Sequence, residues 1–384
     1  MVHYTGFVCI DFPFVFFVCF VVKRVYLIAI IESMDKPSAL DQLARPGGLF
    51  ESLSDKNVRC QACAHRCLIC PSKRGLCGVR FNLDGVLMVP GGYVAGAQMD
   101  PIEKKPFSHF LPGSQVLTFG MLGCNFHCSF CQNWQSSQVL RDPCADPSMD
   151  YIHMVTAEKL VSLAVEGGAA SIASSYNEPL ITLEWAAEIF KLAKQRGLKT
   201  AMVSNGFATP ESLAFIRPHL DALKVDLKSM QDAEYRKMGG RLQPVLDTIK
   251  LARELGLWVE VVTLVIPGLN DSTDELWQAG RFLASLSSDI PWHVTGYHPD
   301  YQMQDAPPTS AATLQRAAEI GQEAGLRYVY AGNRPGRVGS LEDTHCPKCA
   351  RLLIQRRGYR IAQNLVTPEG ACPFCGEKIA GLFL

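Results

Sequence analysis

The 384-residue sequence predicts an α/β protein: a partial or complete (β/α) barrel with a Cys-rich N-terminal segment and a C-terminal zinc-ribbon-like lobe. Three observations predict it. From about residue 115, short apolar runs alternate with amphipathic stretches, the rhythm of parallel βα units. Polar residues collect directly after those runs, where barrel enzymes build their sites. The 15 cysteines fall mainly into three tight groups. Lys+Arg and Asp+Glu both number 37, so the chain as a whole is neither a strongly basic nucleic-acid binder nor an acidic tail protein. With 48% hydrophobic and 19% charged residues, disorder is not the theme.

Residues 7–31 are apolar, but Lys23-Arg24 interrupt them, and a spanning helix needs about 20 unbroken apolar residues. The positive charge lies inside the run and no small residues close it, unlike a secretory signal. Met34 opens an ordinary polar sequence, so translation is expected to start there, leaving residues 1–33 as an upstream extension; the alternative is a poorly formed membrane anchor. Residues 34–110 form the Cys-rich segment, with Cys60, Cys63, Cys67, Cys70 and Cys77. Close C-x2-C and C-x3-C spacings converge thiols on a point, as metals require, and favour a reducing cytoplasm over a disulfide framework. Cys9, Cys19 and Cys144 read as ordinary thiols.

The barrel is expected over 111–335. Strands are predicted at Gln115–Phe119, Ala169–Ser174, Lys199–Val203, Ala222–Leu227, Trp258–Ile266, Trp292–Tyr297 and Arg327–Tyr330. Thr156 can cap a helix with apolar Leu160, Leu163, Ala164 and Gly167 on one face. The next helix carries Leu183, Ala186, Ala187 and Phe190 and stops at Gly197. Thr209-Pro210 has the N-cap and first-turn arrangement, and Ser272 with Glu275 fits a capping box. Lys224, Asp226 and Lys228 share one face of their strand. They either pair with one another inside the barrel or meet a charged ligand.

Cys124, Cys128 and Cys131 place three thiols in the loop after the first barrel strand. Three thiolates leave a tetrahedral zinc site one ligand short unless His127 completes it, but they can hold three irons of a [4Fe–4S] cluster with the fourth open. Cys346, Cys349, Cys372 and Cys375 form two C-x2-C knuckles in the lobe expected over 336–384, a zinc-ribbon pattern in a segment too small for its own core, with zinc favoured over a rubredoxin-like iron or a second cluster. In the N-terminal group, Cys60, Cys63 and Cys67 are joined by either Cys77 or Cys70; Cys77 is favoured, with zinc and an auxiliary cluster both open.

On these residues the chain resembles radical S-adenosylmethionine (radical SAM) enzymes over about 55–384. The match is closest to the AmmeMemoRadiSam-system members similar to pyruvate formate-lyase activating enzymes. The resemblance implies that Cys124, Cys128 and Cys131 ligate a [4Fe–4S] cluster whose open iron chelates SAM, with Phe130 beside the adenine. Asn177-Glu178-Pro179 takes the place of the Gly-Gly-Glu-Pro segment that meets the SAM ammonium, with Tyr176-Asn177 standing where the glycines would be. Ser204 and Asn205 match the ribose-contacting turn, Asp226 and Lys228 the Asp-Leu-Lys element, and His298 the late barrel histidine. The implied activity is reductive cleavage of SAM to a 5′-deoxyadenosyl radical that abstracts hydrogen from an unidentified substrate, without a protein general base. Implied partners are a flavodoxin or ferredoxin donor and, by analogy, MEMO-type and AMMECR-type proteins. A narrower reading is a glycyl-radical-enzyme activating enzyme. One from another class is a non-catalytic zinc-ribbon binding scaffold.

Overall fold

The computed structural model describes residues 40–145 and 152–383; the expected extension 1–33, with Cys9 and Cys19, lies outside the described residues. One eight-stranded sheet organises the fold. Its strands are β1 (Gly96–Pro101), β2 (Gln115–Gly120), β3 (Ser171–Ser174), β4 (Lys199–Ser204), β5 (Ala222–Asp226), β6 (Trp258–Val265), β7 (Trp292–Gly296) and β8 (Val329–Gly332). They lie in sequence order, β8-β7-β6-β5-β4-β3-β2-β1. β2 to β8 are parallel, and β1 pairs antiparallel with β2. The barrel is therefore partial, with two sheet edges. The seven parallel strands stand where alternating periodicity predicts them. β1 does not announce itself, because Gly-Ala-Gln-Met-Asp-Pro has no apolar run and its side chains are mostly half-exposed. It joins the sheet from within the segment assigned as 34–110.

Helices α1 (Ala157–Glu166), α2 (Leu183–Gln195), α3 (Pro210–Ile216), α4 (Leu242–Glu254), α5 (Thr273–Leu286) and α6 (Ala311–Glu323) connect the strands. Thr156, Thr209 and Ser310 each accept a backbone N–H at a helix start, and Thr209 with Ser212 closes a reciprocal capping box. At α5 the expected box is only half made. Ser272 accepts from Glu275 N–H, but the Glu275 carboxylate turns away to accept from Ser229 Oγ and Met230 N–H, which stabilises the loop after β5 instead.

The lower end of the barrel is closed by local size matching. Ala173, Ala201 and Ala222 are direct register partners on β3, β4 and β5, and their small side chains leave room for Phe107, Phe110 and Leu111. Below this plug sits a three-stranded antiparallel sheet, β9 (Thr344–His345), β10 (Leu352–Arg357) and β11 (Arg360–Asn364). Leu111 N–H donates to Leu382 O at 2.7 Å, and Arg356 reaches Ser108 O at 2.8 Å. Among the described residues no helix is long and apolar enough to cross a membrane.

Candidate functional site

The site lies at the C-terminal ends of the strands. After β2 the chain turns through Gly123 at φ 91° into the loop that carries Cys124, Cys128 and Cys131. A side chain at Gly123 would crowd Val79 and the Cys77 carbonyl, so glycine permits both the turn and the close approach. The three thiols sense one another electrostatically, and burial is the largest influence on each. It pushes Cys128 up to about 12, against the pull of the Lys228 ammonium. Phe126 N–H donates to Cys124 Sγ at 3.3 Å, and Ser137 Oγ lies 3.2 Å from Cys131 Sγ. Donors aimed at sulfur and a nearby cation suit thiolates held on a metal. The residues therefore fit a three-thiolate cluster.

Beside this loop, three segments meet in one buried polar group. Glu178 accepts from Ser204 Oγ at 2.6 Å, from Asn205 N–H at 2.8 Å and from Leu180 N–H at 3.1 Å. Burial nevertheless raises its carboxyl to about 7, because the three donors do not offset full desolvation. Asn205 in turn donates to Asn125 Oδ1 at 2.7 Å, which joins the β4 turn to the cysteine loop. Asn177 is buried, and its Oδ1 accepts from Met121 N–H at 3.0 Å. That bond makes Asn177 a fastening between the ends of β2 and β3. Phe130 is buried, 5% exposed, within the same loop.

Lys224 on β5 and Lys228, two residues past its end, both pair with Asp226, at 2.5 Å and 3.0 Å. Burial opposes ionisation of Asp226, but the two lysines outweigh it and hold its carboxyl below the usual range. His298 is exposed at the rim, with Nε2 3.2 Å from Gln132 Nε2, next to Cys131. Thus Cys124, Cys128, Cys131, Glu178, Ser204, Asn205 and the Asp226-Lys228 pair gather at one mouth, with His298 on its edge.

Two residues here, Asp100 and Lys105, escaped sequence reasoning, and both meet Tyr176. Tyr176 takes a left-handed backbone, φ 71°, a conformation that favours glycine. Its ring lies under the Lys105 ammonium, 4.4 Å from the centroid, and its hydroxyl donates to Asp100 Oδ2 at 3.1 Å. Lys105 pairs with Asp100 at 2.9 Å, and burial lowers its pKa to about 8 despite that partner. Asp100 sits on the unforeseen β1, which is why no local pattern exposed this cluster. A signal did exist in the paired Lys104-Lys105 immediately before the Phe107–Leu111 plug.

The outer cysteines divide clearly. Cys346, Cys349, Cys372 and Cys375 bring all four sulfurs within 4.8 Å of one another, with Cys346 3.5 Å from Cys375 and Cys349 3.7 Å from Cys372. Tetrahedral zinc with bonds of about 2.3 Å would separate its sulfurs by about 3.8 Å, so these four fit a single ion. In the N-terminal segment Cys60, Cys63 and Cys77 are buried, Cys67 is half-buried, and Cys70 is exposed, as is Cys144.

The radical SAM superfamily model matches residues 119–283. An uncharacterized protein of Methanocaldococcus jannaschii is 39% identical over 338 residues, covering 87% of this chain and 98% of its own. The pyruvate formate-lyase-activating enzyme of Staphylococcus epidermidis is 24% identical over 231 residues, 54% of this chain and 88% of that enzyme. The solved radical SAM methyltransferase from Sphaerobacter thermophilus is 15% identical with a TM-score of 0.44, over 86% of this chain and 88% of that one. The chain belongs to the radical SAM superfamily, enzymes built on a [4Fe–4S] cluster and S-adenosylmethionine.

Proposed function

We propose that this enzyme reductively cleaves SAM at a cluster held by Cys124, Cys128 and Cys131, giving a 5′-deoxyadenosyl radical that takes hydrogen from its substrate. The observation that carries the reading is the meeting of a three-thiol loop with Glu178, Ser204 and Asn205 at the strand ends. When bound, the cofactors supply the one-electron chemistry; the chain's part is to bind, orient and exclude water. Gly123 and the bonds from Phe126 N–H and Ser137 set the thiol loop. Glu178 is fixed by Ser204 and Asn205, and it would be the residue to meet the ammonium of bound SAM. Phe130 would pack beside the adenine, Asn177 holds the β2 and β3 ends in place, and Asp226, Lys228 and His298 would line the remaining mouth.

The division into 34–110, 111–335 and 336–384 belongs to the same proposal, with β1 added to the barrel. So do a reducing cytoplasm, a flavodoxin or ferredoxin donor, zinc in the C-terminal four-cysteine site, and MEMO-type and AMMECR-type proteins as partners to test by pull-down. The similarity to pyruvate formate-lyase-activating enzymes supports a second reading, activation of a glycyl-radical enzyme. The test is anaerobic reconstitution with iron and sulfide, then SAM and dithionite, with 5′-deoxyadenosine read by mass spectrometry. The wild type should form it, and Cys128→Ala should fall to background. Equal product from Cys128→Ala would sink the proposal. A glycyl-radical EPR signal on a candidate partner would select the second reading.

A further inference from the structure

The first cysteine group has no part in the function just proposed, yet the fold sets it against the central loop. Cys60, Cys63 and Cys77 are buried in one core and Cys67 packs against it, while Cys70 stays exposed. Cys60 N–H donates to Cys67 O at 3.0 Å, which folds the turn between them. Among the described residues no three of these sulfurs come within 4.8 Å of one another, whereas the C-terminal four all do. A single tetrahedral ion draws thiolates to about 3.8 Å apart. A four-iron core keeps them apart by its own bulk.

Two buried nitrogens point the same way. Arg80 is 1% exposed and pairs with Glu184 through both terminal nitrogens, yet its Nε has no hydrogen-bond partner. Its guanidinium bears on Cys60, Cys67 and Cys77. Asn125 is 2% exposed, its Nδ2 is likewise unpartnered, and its side chain bears on Cys63. Buried N–H groups without partners are costly unless something negative meets them, which four thiolates around a cluster would do.

Asn125 also supplies the connection. It follows Cys124 in the chain, and its Oδ1 lies 3.7 Å from Cys124 Sγ. His65, between Cys63 and Cys67, reaches Asn125 O at 3.0 Å. Arg141 clamps the two segments together through Leu76 O and Phe126 O.

We infer that Cys60, Cys63, Cys67 and Cys77 hold a second [4Fe–4S] cluster that relays electrons to the central site past Asn125. This rests on the reductive reading of that site. In each cycle a reduced flavodoxin- or ferredoxin-class donor gives one electron, taking the cluster from its 2+ to its 1+ state. The same electron then passes to the central site and restores the 2+ state; no proton or atom moves. With all four irons ligated by cysteine, the cluster has no open position for a substrate.

The test counts iron, acid-labile sulfide and zinc after anaerobic reconstitution, with EPR of the reduced protein. Wild type should hold about eight irons, and the variant Cys124→Ala, Cys128→Ala, Cys131→Ala about four, with an EPR signal that SAM leaves unchanged. Cys70→Ser should match wild type. About four irons in wild type that vanish in the triple variant, with about two zincs per chain, overturn the inference and leave the proposed function standing. About four irons that the triple variant keeps support the second cluster and sink the proposed function instead. Should the triple variant fail to fold, wild type decides. About eight irons support the inference, as do about four with a signal insensitive to SAM; about four with a signal wholly shifted by SAM overturn it. For the relay, Cys60→Ser, Cys63→Ser should slow reduction of the remaining cluster by reduced flavodoxin at least tenfold. An unchanged rate would overturn that part.

Discussion

Tyr176 holds a left-handed backbone beside the site. A non-glycine residue at φ 71° is disfavoured, and it persists because Asp100 and Lys105 hold its hydroxyl and ring. Tyr176→Phe removes the hydroxyl while keeping the ring, so stability should fall by about 1 kcal/mol in urea unfolding. Glu178 is the second sensitive residue, since both its oxygens accept. In Glu178→Gln an amide nitrogen would face a donor, and the expected loss is about 1–3 kcal/mol, together with weaker SAM binding by calorimetry. That the Tyr176-Asn177 pair stands in place of two glycines is plain in the sequence. How it is accommodated is not, because Asp100 and Lys105 lie far upstream and meet it only once β1 has joined the sheet.

At the scale of elements, helix starts were the most readable feature, because an N-cap is a contact between residues two or three apart. Thr156 and Thr209 do what their sequences suggest. The Ser272–Glu275 pair differs, since the loop after β5 competes for the carboxylate. This predicts an inverted ranking of variants. Ser272→Ala should cost about 1 kcal/mol as an ordinary cap, and Glu275→Ala more, since it strips Ser229 Oγ and Met230 N–H of their shared acceptor. Thermal unfolding of both variants checks the order. The interior of β5 shows the same division. Its alternating charges were visible, but their pairing through Asp226 is a matter of side-chain geometry.

Across the whole molecule, His109 ties the C-terminal lobe to the barrel. Its Nδ1 lies 2.6 Å from Ala380 O and must donate there, so Nε2 accepts from the Tyr330 hydroxyl at 2.5 Å. Tyr330 continues to Thr344, and Thr344 to Arg356 of β10. Burial lowers the His109 pKa from 6.5 to about 4. Between those values the unfolded chain takes up a proton that the folded one refuses. The contribution to stability is therefore complete above pH 6.5 and is lost toward pH 4, by about 3 kcal/mol in all. His109→Gln should flatten this fall, losing about 2 kcal/mol less than wild type between pH 7 and pH 5 in denaturant titrations. The lobe should also need its metal: Cys372→Ser should lose one ion per chain by metal analysis and leave β9 to β11 protease-sensitive, because so short a segment has little core of its own.

What the sequence alone determined is short-range: the seven parallel strands, the helix caps, the three cysteine groups and the polar residues after each strand. Each is set by periodicity or by contacts within a few positions, which the order of residues states directly. Only the tertiary structure decided that Glu178 is gripped by Ser204 and Asn205, and that Cys77 is buried near Cys60 while Cys70 faces solvent. It alone set Tyr176 on Asp100 and docked the C-terminal lobe through His109. These pairings join residues distant along the chain, and closing such long loops is repaid only when the barrel's packing brings both ends together.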